Sequence, residues 1–262
     1  MTDAAATAAE DVLLIDEADG VLVLTMNRPA ARNAMSLELA TRLAAAFDEF
    51  DERSDLRVAV LTGAGGTFCA GMDLKGFARG ELPLVPGRGF GGLVEKPPRK
   101  PLIAAVEGWA LGGGFELALA SDLIVAAETA TFGLPEVKRG LTANAGGLLR
   151  LPRRIPYHRA MELILTGRPL PAAEAAQLGL VTSVAPAGGA LEAARELAAA
   201  IAANAPLAVA TSKRVIQQSA DWPTDELFER QRPLIEPIRQ SNDAKEGARA
   251  FAEKRAPVWT AS

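Results

Sequence analysis

The stretch that most constrains this chain runs from Val106 to Glu136, V-E-G-W-A-L-G-G-G-F-E-L-A-L-A-S-D-L-I-V-A-A-E-T-A-T-F-G-L-P-E. Three consecutive glycines at 112 to 114 open an apolar helical pattern that carries Glu116. An apolar strand-like run follows at Leu123 to Ala127, and Glu136 comes 20 residues after Glu116. Glycine lets a backbone approach a ligand that any Cβ would block, and the first N–H groups of a helix have no partner within it. The pattern predicts two carboxylates beside one helix N-terminus, a place suited to a carbonyl oxygen that gains negative charge. Read alone, the glycines fit equally a tight strand-to-helix connection without a ligand, and each glutamate fits a solvated or Arg-paired carboxylate.

Composition narrows the classes. With 262 residues, 49% of them apolar, the chain has material for a substantial core, as one large domain or one domain with an appendage. The net charge of −4 and the pI near 5.3, without a block of like charges, argue against nucleic acid or an anionic membrane as partner. No run is long and apolar enough to span a bilayer. The lone cysteine, Cys69, leaves no internal disulfide or cysteine-based metal cluster and suits a reducing compartment. The lone histidine, His158, lies in the polar context R-R-I-P-Y-H-R, which reads as surface loop or helix start, so histidine triads and multi-histidine zinc chemistry are disfavoured and no metal is expected. The opening M-T-D-A-A-A-T-A-A-E-D lacks the basic and apolar regions of a leader, which predicts a cytoplasmic protein with poorly ordered residues 1–10.

Taken in order, Val12 to Ile15 and Val21 to Met26 read as a hairpin around the Glu17 to Gly20 turn. Ser36 then caps a helix to about Asp51 with Leu37, Leu39, Ala40, Leu43, Ala44 and Phe47 on its apolar face. Val58 to Thr62 is a strand, and the following T-G-A-G-G-T-F-C-A-G-M-D-L-K fails the G-x-G-x-x-G spacing at Phe68, which excludes a dinucleotide loop. Phe77 to Pro101, rich in Gly, Pro and charge, reads as a long excursion. Leu102 to Val106 is again a strand that runs toward a glycine turn, so a strand-strand-helix repeat is indicated without a fixed period. From Pro171 onward helices dominate, at 171–179, 190–204, 206–219, 224–240 and 243–255, interrupted by a strand at Leu180 to Val184.

Six motifs now stand in order over nearly the whole chain: N-R-P-A-A-R-N-A-M, T-F-C-A-G-M-D-L-K, A-L-G-G-G-F-E-L, F-G-L-P-E-V-K-R-G-L, A-G-G-L-L-R-L-P and E-G-A-R-A-F-A-E-K-R-A-P-V-W. Together they resemble the enoyl-CoA hydratase/isomerase (crotonase) superfamily. The resemblance implies an α/β fold, a crotonase-like spiral of ββα repeats at 11–200 that binds acyl-CoA and does the chemistry. It also implies a C-terminal helical region at 201–262 that makes homotrimers or hexamers. It places two backbone N–H donors for a thioester enolate on Met72 and Gly113, and the paired glutamates of hydratases on Glu116, which orients and deprotonates water, and Glu136, which protonates C2. For substrate and CoA it points to Arg32 and Ala34, to Ala70, Asp73 and Leu74, to Gly112, Pro135 and Asn144, and to Phe251 and Lys254 of a neighbouring subunit. Coenzyme A is then part of the substrate, and no cofactor is implied.

Both glutamates together favour a hydro-lyase acting on 2-enoyl-CoA, as in fatty acid β-oxidation. Asn144 stands where some dienoyl isomerases and carnitinyl-CoA dehydratases carry an acid, and an amide is no carboxylate base, which lowers the isomerase reading. G-F-E-L-A-L-A, F-G-L-P-E and the tail remain similar to carnitinyl-CoA dehydratases, which keeps carnitinyl-CoA dehydration or isomerisation as the alternative. A non-catalytic acyl-CoA or RNA-binding homologue comes last, since the glutamates are retained and no basic stripe is present.

Overall fold

In the computed structural model, residues 11–262 are described; the expectation for residues 1–10 lies outside them. The chain opens with β1 (Leu13–Ala18) and β2 (Val21–Met26), paired antiparallel around Asp19 and Gly20. Both loop residues have positive φ, 52° and 79°, as a two-residue turn matched to strand twist requires. The strands are therefore tighter at the turn than the sequence predicts, with Glu17 and Ala18 inside β1. Helix α1 (Leu37–Glu52) starts where expected, the Ser36 hydroxyl accepting from the Leu39 N–H at 3.2 Å. Its buried face is Leu39, Ala40, Leu43, Ala44, Ala46, Phe47 and Phe50, while Leu37 is exposed because it sits in the first turn, outside the stripe.

β3 (Val58–Gly63) follows, then the five-residue α2 (Leu74–Ala78), a small hairpin of β4 (Leu84–Val85) and β5 (Gly89–Phe90), and β6 (Leu102–Val106). Next come β7 (Trp109–Leu111), α3 (Gly113–Ala120), β8 (Leu123–Ala127), β9 (Thr131–Gly133), α4 (Gly147–Arg154) and α5 (Tyr157–Thr166). The rest is β10 (Leu170–Pro171), α6 (Ala172–Gln177), β11 (Ser183–Ala185), α7 (Ala190–Ala202), α8 (Pro206–Ser219), α9 (Leu227–Gln240) and α10 (Asn242–Glu253). A six-stranded sheet runs β1-β2-β3-β6-β8-β11, parallel after the first hairpin, and a three-stranded sheet runs β10-β9-β7. Two successive turns of the chain, β6-β7-α3 and β8-β9-α4, give one strand to each sheet and then a helix, the ββα spiral that the resemblance implies. The repeat has no fixed period because the excursion before β6 is inserted into one turn.

The parallel strands are covered on both faces, which is why they read as unbroken apolar runs. Ala59, Leu61, Leu102 and Ala104 face the main core with α1 and α3. Val58, Val60, Ile103 and Ala105 face Ala194, Ala198 and Ala202 of α7. Alanine at every fourth residue lets α7 lie close on the sheet. This helix runs through Ala202, across the division expected at 200.

Two sequence expectations are corrected. Helix begins before Pro171: α4 and α5 are present, but Pro152 within α4 and Pro156 at the N-cap of α5 break the pattern that would announce them. The strand expected at Leu180 to Val184 begins only at Ser183, because the Leu180 and Val181 N–H groups both donate to Ala175 O in a turn closing α6. Their apolar character reflects burial, 6% exposed each, and not strand pairing. Among the described residues no helix is long and apolar enough to cross a membrane, and no group of three or more His, Cys, Asp or Glu side chains is arranged to hold a metal ion.

Candidate active site

The N-R-P-A-A-R-N-A-M segment is a scaffold for the loop that follows β3. Asn33, fully buried at φ 55°, accepts from the Arg28 N–H at 2.9 Å and donates to Ala64 O at 2.8 Å and Thr67 O at 2.6 Å. Arg28 reaches over to Ala34 O and pairs with Asp73 at 2.7 Å. Asp73 in turn caps α2 through the Lys75 and Gly76 N–H groups, and the pairing with Arg28 holds its carboxyl below the usual range. Between these anchors the Met35 N–H donates to Gly71 O at 2.7 Å and the Asp73 N–H to Met35 O at 3.0 Å. The N–H of Met72, set between them, donates to no backbone or side-chain acceptor among the described residues.

The glycine triplet lies alongside. Cys69 N–H donates to Trp109 O at 2.9 Å and Leu111 N–H to Cys69 O at 3.0 Å, which zips the 69–72 loop to the approach of α3. Each glycine is required by a different neighbour. A Cβ on Gly112, whose φ is 53°, would stand 3.0 Å from Glu136 Oε1; one on Gly113 would stand 2.3 Å from the Phe90 ring; one on Gly114 would stand 2.1 Å from Cys69 O. Gly113 is the first residue of α3, so its N–H has no intrahelical acceptor, and none outside the helix takes it. A Cβ on Gly71 would be 3.8 Å from the Gly113 nitrogen, so the two loops that carry the unpaired N–H groups are in contact.

Glu116 is 2% exposed on an otherwise apolar helix. Its Oε1 accepts from Ala145 N–H at 2.7 Å and Gly147 N–H at 2.8 Å, both at the start of α4. Gly147 is another enforced glycine, since a Cβ there would lie 3.1 Å from that same oxygen. Burial pushes the Glu116 carboxyl up to about 7; the Glu136 charge adds to the rise, and the two N–H bonds and Arg150 oppose it. Glu136 opens a short 3-10 helix, Glu136–Arg139, behind Pro135, and its Oε2 is buried without a hydrogen-bond partner. Burial raises its carboxyl as well. Two carboxylates with raised proton affinity, one tethered and one with an unsatisfied oxygen, thus flank the glycine turn.

Among the residues singled out from sequence, Glu116, Glu136, Pro135, Gly112, Gly113, Met72 and Ala70 are brought together. Arg32, Ala34, Asp73 and Leu74 lie in the loops joined to Met72: the Arg32 carbonyl accepts from Ala70 N–H at 3.0 Å, and Leu74 is 61% exposed. The Asp73 N–H, carboxylate and carbonyl are all engaged in the scaffold, the carbonyl accepting from the Phe77 N–H at 2.9 Å, so Asp73 shapes this loop through its backbone bonds. Asn144 is exposed beside Ala145. Phe251 is exposed on α10 and Lys254 caps its C-terminal end, also exposed; α10 packs on α9, and among the described residues no hydrogen bond ties either to the carboxylate pair. Sequence reasoning did not single out Asn33, Phe90 and Arg150. Asn33 carried a signal, a polar residue in a turn motif, whereas Phe90 and Arg150 reach the site only through tertiary packing.

The family model described as enoyl-CoA hydratase/isomerase matches residues 16–262. An enoyl-CoA hydratase of Mycobacterium tuberculosis is 47% identical over 255 residues, 93% of this chain and 94% of the relative. A carnitinyl-CoA dehydratase of Salmonella typhi is 44% identical over 248 residues, 91% and 94% of the two chains. The solved structure of an enoyl-CoA hydratase from Mycobacterium tuberculosis, 57% identical, superposes with a TM-score of 0.94 and covers 96% of this chain and 99% of its own.

Proposed function

Since the chain belongs to the enoyl-CoA hydratase/isomerase family, we propose that it is an enoyl-CoA hydratase, adding water reversibly across the 2,3 double bond of a 2-enoyl-CoA thioester. The observation that carries this reading is the placement of a buried carboxylate, Glu116, and a half-buried one, Glu136, beside two unpaired backbone N–H groups, those of Met72 and Gly113. The thioester oxygen accepts from both N–H groups. Water held between the carboxylates attacks C3, Glu116 takes its proton, and the displaced electron pair moves through C2 and C1 onto the thioester oxygen as an enolate. When the enolate collapses, C2 takes a proton from Glu136. The carboxylates have then exchanged protonation states, and proton return between them or through water restores the pair. The split is drawn from local hydrogen bonding alone, since burial raises the proton affinity of both: the two N–H donors on Glu116 support its role as the base, and the Glu136 oxygen without a donor supports its role as the acid. The Gly113 N–H, at a helix N-terminus, favours the enolate, and loss of one such donor typically raises a barrier by about 3 kcal/mol.

The CoA portion is assigned to the rim formed by Arg32, Ala34, Ala70, Asp73 and Leu74, with the nucleotide end reached by Phe251 and Lys254 of a neighbouring subunit. Assembly is supported by α8 and α9, neither of which buries a residue within one chain, while Ile216, Phe228 and Val258 are 72%, 74% and 69% exposed. A trimer or pair of trimers would cover them. A monomeric mass by light scattering at micromolar concentration would contradict this.

Carnitinyl-CoA dehydration is the second reading, favoured by the similarity to a carnitinyl-CoA dehydratase. Steady-state assays with crotonyl-, longer 2-enoyl- and carnitinyl-CoA separate the readings. Hydration of crotonyl-CoA with negligible action on carnitinyl-CoA is expected, and turnover of neither class would refute both.

A further inference from the structure

The excursion between α2 and β6 delivers an aromatic ring to the residue that offers the helix-start N–H. An ideal Cβ on Gly113 would lie 2.3 Å from Phe90 Cζ, 2.5 Å from Cε1 and 3.0 Å from Cε2, so the ring points tip-first at the Gly113 Cα. Phe90 is 7% exposed. Its position is fixed from several sides. The β4–β5 hairpin pairs it with Leu84, and the next residue, Gly91, donates to Pro83 O at 2.9 Å. Arg88, 4% exposed, pairs with Asp48 of α1 at 2.6 Å and donates to Gly92 O at 2.9 Å and Lys96 O at 3.0 Å. Arg150, on the helix whose start tethers Glu116, donates to Val94 O at 2.5 Å. Gly91 and Gly92 leave no slack, since a Cβ on either would stand 2.7 Å from Leu117 or 2.4 Å from Ala40 O.

We propose that Phe90 is a specificity-determining residue, a rigid wall alongside C2 of the bound acyl group that selects 2-enoyl thioesters unbranched at that carbon. This rests on the hydratase reading. An oxygen about 2.9 Å from the Gly113 nitrogen puts C2, two bonds farther on, within ~5 Å of that residue, and under this assignment C2 lies on the side of Gly113 that the ring edge touches. Ring and chain are then separated by about one carbon–carbon contact distance, ~4 Å, which a methyl branch on C2 would occupy. The wall does not yield, because moving the ring means breaking the hairpin, the buried Arg88 contacts or the Arg150 link.

The test compares crotonyl-CoA with its 2-methyl analogue, tiglyl-CoA, on wild type, Phe90→Leu and Phe90→Ala, each checked for folding by circular dichroism and thermal melting. Wild type is expected to favour crotonyl-CoA in kcat/KM. The tiglyl-to-crotonyl ratio should rise about tenfold or more in Phe90→Ala, the usual worth of one methyl group in a pocket, and in the same direction but less in Phe90→Leu. A ring that only packs the core would lower both activities together and leave the ratio unchanged; that result in a folded variant overturns the proposal. Phe90→Leu keeps the measurement available if the alanine variant does not fold. Wild-type turnover of crotonyl-CoA with an unchanged ratio refutes the wall alone, whereas wild-type turnover of neither thioester refutes the hydratase reading beneath it.

Discussion

Replacing Glu116 by glutamine should make the protein inactive and more stable, with the gain confined to one side of a pH window. The Gln carbonyl oxygen keeps the acceptor for Ala145 and Gly147 N–H, and its amide takes the place of the second carboxylate oxygen, so shape is preserved. What is removed is a charge that burial disfavours. The carboxyl rises from 4.5 to about 7 in the folded chain, so between those values the native state holds a proton that the unfolded state has released. Stability therefore falls as pH rises through the window; the penalty is absent below the unfolded value and complete above the folded one. A shift of that size corresponds to about 3 kcal/mol at full development, little reduced by solvent because the side chain is almost wholly enclosed. Glu116→Gln should accordingly exceed wild type by ~1–3 kcal/mol at pH 8 and by nearly nothing at pH 4.5. Hydration should fall by ~10² to 10⁴. Urea unfolding at both pH values and equal protein concentration, with crotonyl-CoA turnover measured in parallel, checks both. A variant no more stable than wild type at pH 8, or one that keeps turnover, would refute the assignment of Glu116 as a buried, proton-handling carboxylate.

Glu136→Gln should likewise lose ~10² to 10⁴ in kcat while binding of a saturated acyl-CoA, measured by calorimetry, changes little; near-normal kcat would remove Glu136 from the reaction. Arg150→Met should shift the acid limb of the kcat/KM profile to higher pH. The charged groups facing Glu116 are Glu136, which raises its proton affinity, and Arg150, which lowers it, with Arg139 acting on Glu136. An unshifted limb would mean that the guanidinium serves only to hold Val94 O. Asn33→Ala removes three hydrogen bonds at a buried left-handed position and should cost ~3 kcal/mol or more in chemical denaturation; a loss below ~1 kcal/mol would show that the turn holds without its side chain.

The elements legible in the sequence are those whose pattern comes from one packing surface or from burial on both. α1 shows a cap and a stripe, β3 and β6 show short unbroken apolar runs, and α7 shows alanines at helical spacing. The illegible ones are set by tertiary context. α4 holds a proline six residues in and is eight residues long with only Gly147 and Leu151 buried, too short a stripe to announce a helix across a proline. Leu180 and Val181 look like strand because they are apolar, yet their N–H groups close a helix. The Phe77 to Pro101 excursion reads as irregular because Arg88 organises it through Asp48 and backbone carbonyls distant in sequence, a pattern with no period.

At the candidate site, residue types were legible and reasons were not. The sequence marks Gly113 as a residue whose side chain would obstruct a thioester; in the structure the obstruction meets Phe90 first. Gly113→Val would therefore disturb the hairpin before any ligand arrives, and loss of activity in that variant would not report on the N–H. A sharper probe replaces the Gly112–Gly113 amide by an ester, which deletes the N–H and adds no atom. If Gly113 donates to the thioester oxygen, this backbone substitution should lower kcat by ~10² to 10³ while costing no more than ~1 kcal/mol in stability, because the N–H has no partner in the free protein and only the Glu116 N–H bond to the Gly112 carbonyl is weakened. Unchanged kcat in the folded ester protein would place the reacting carbonyl elsewhere. A loss of stability well beyond the ~1 kcal/mol that the weakened Glu116 N–H bond to Gly112 O accounts for would instead mean that the Gly113 N–H was already satisfied within the fold.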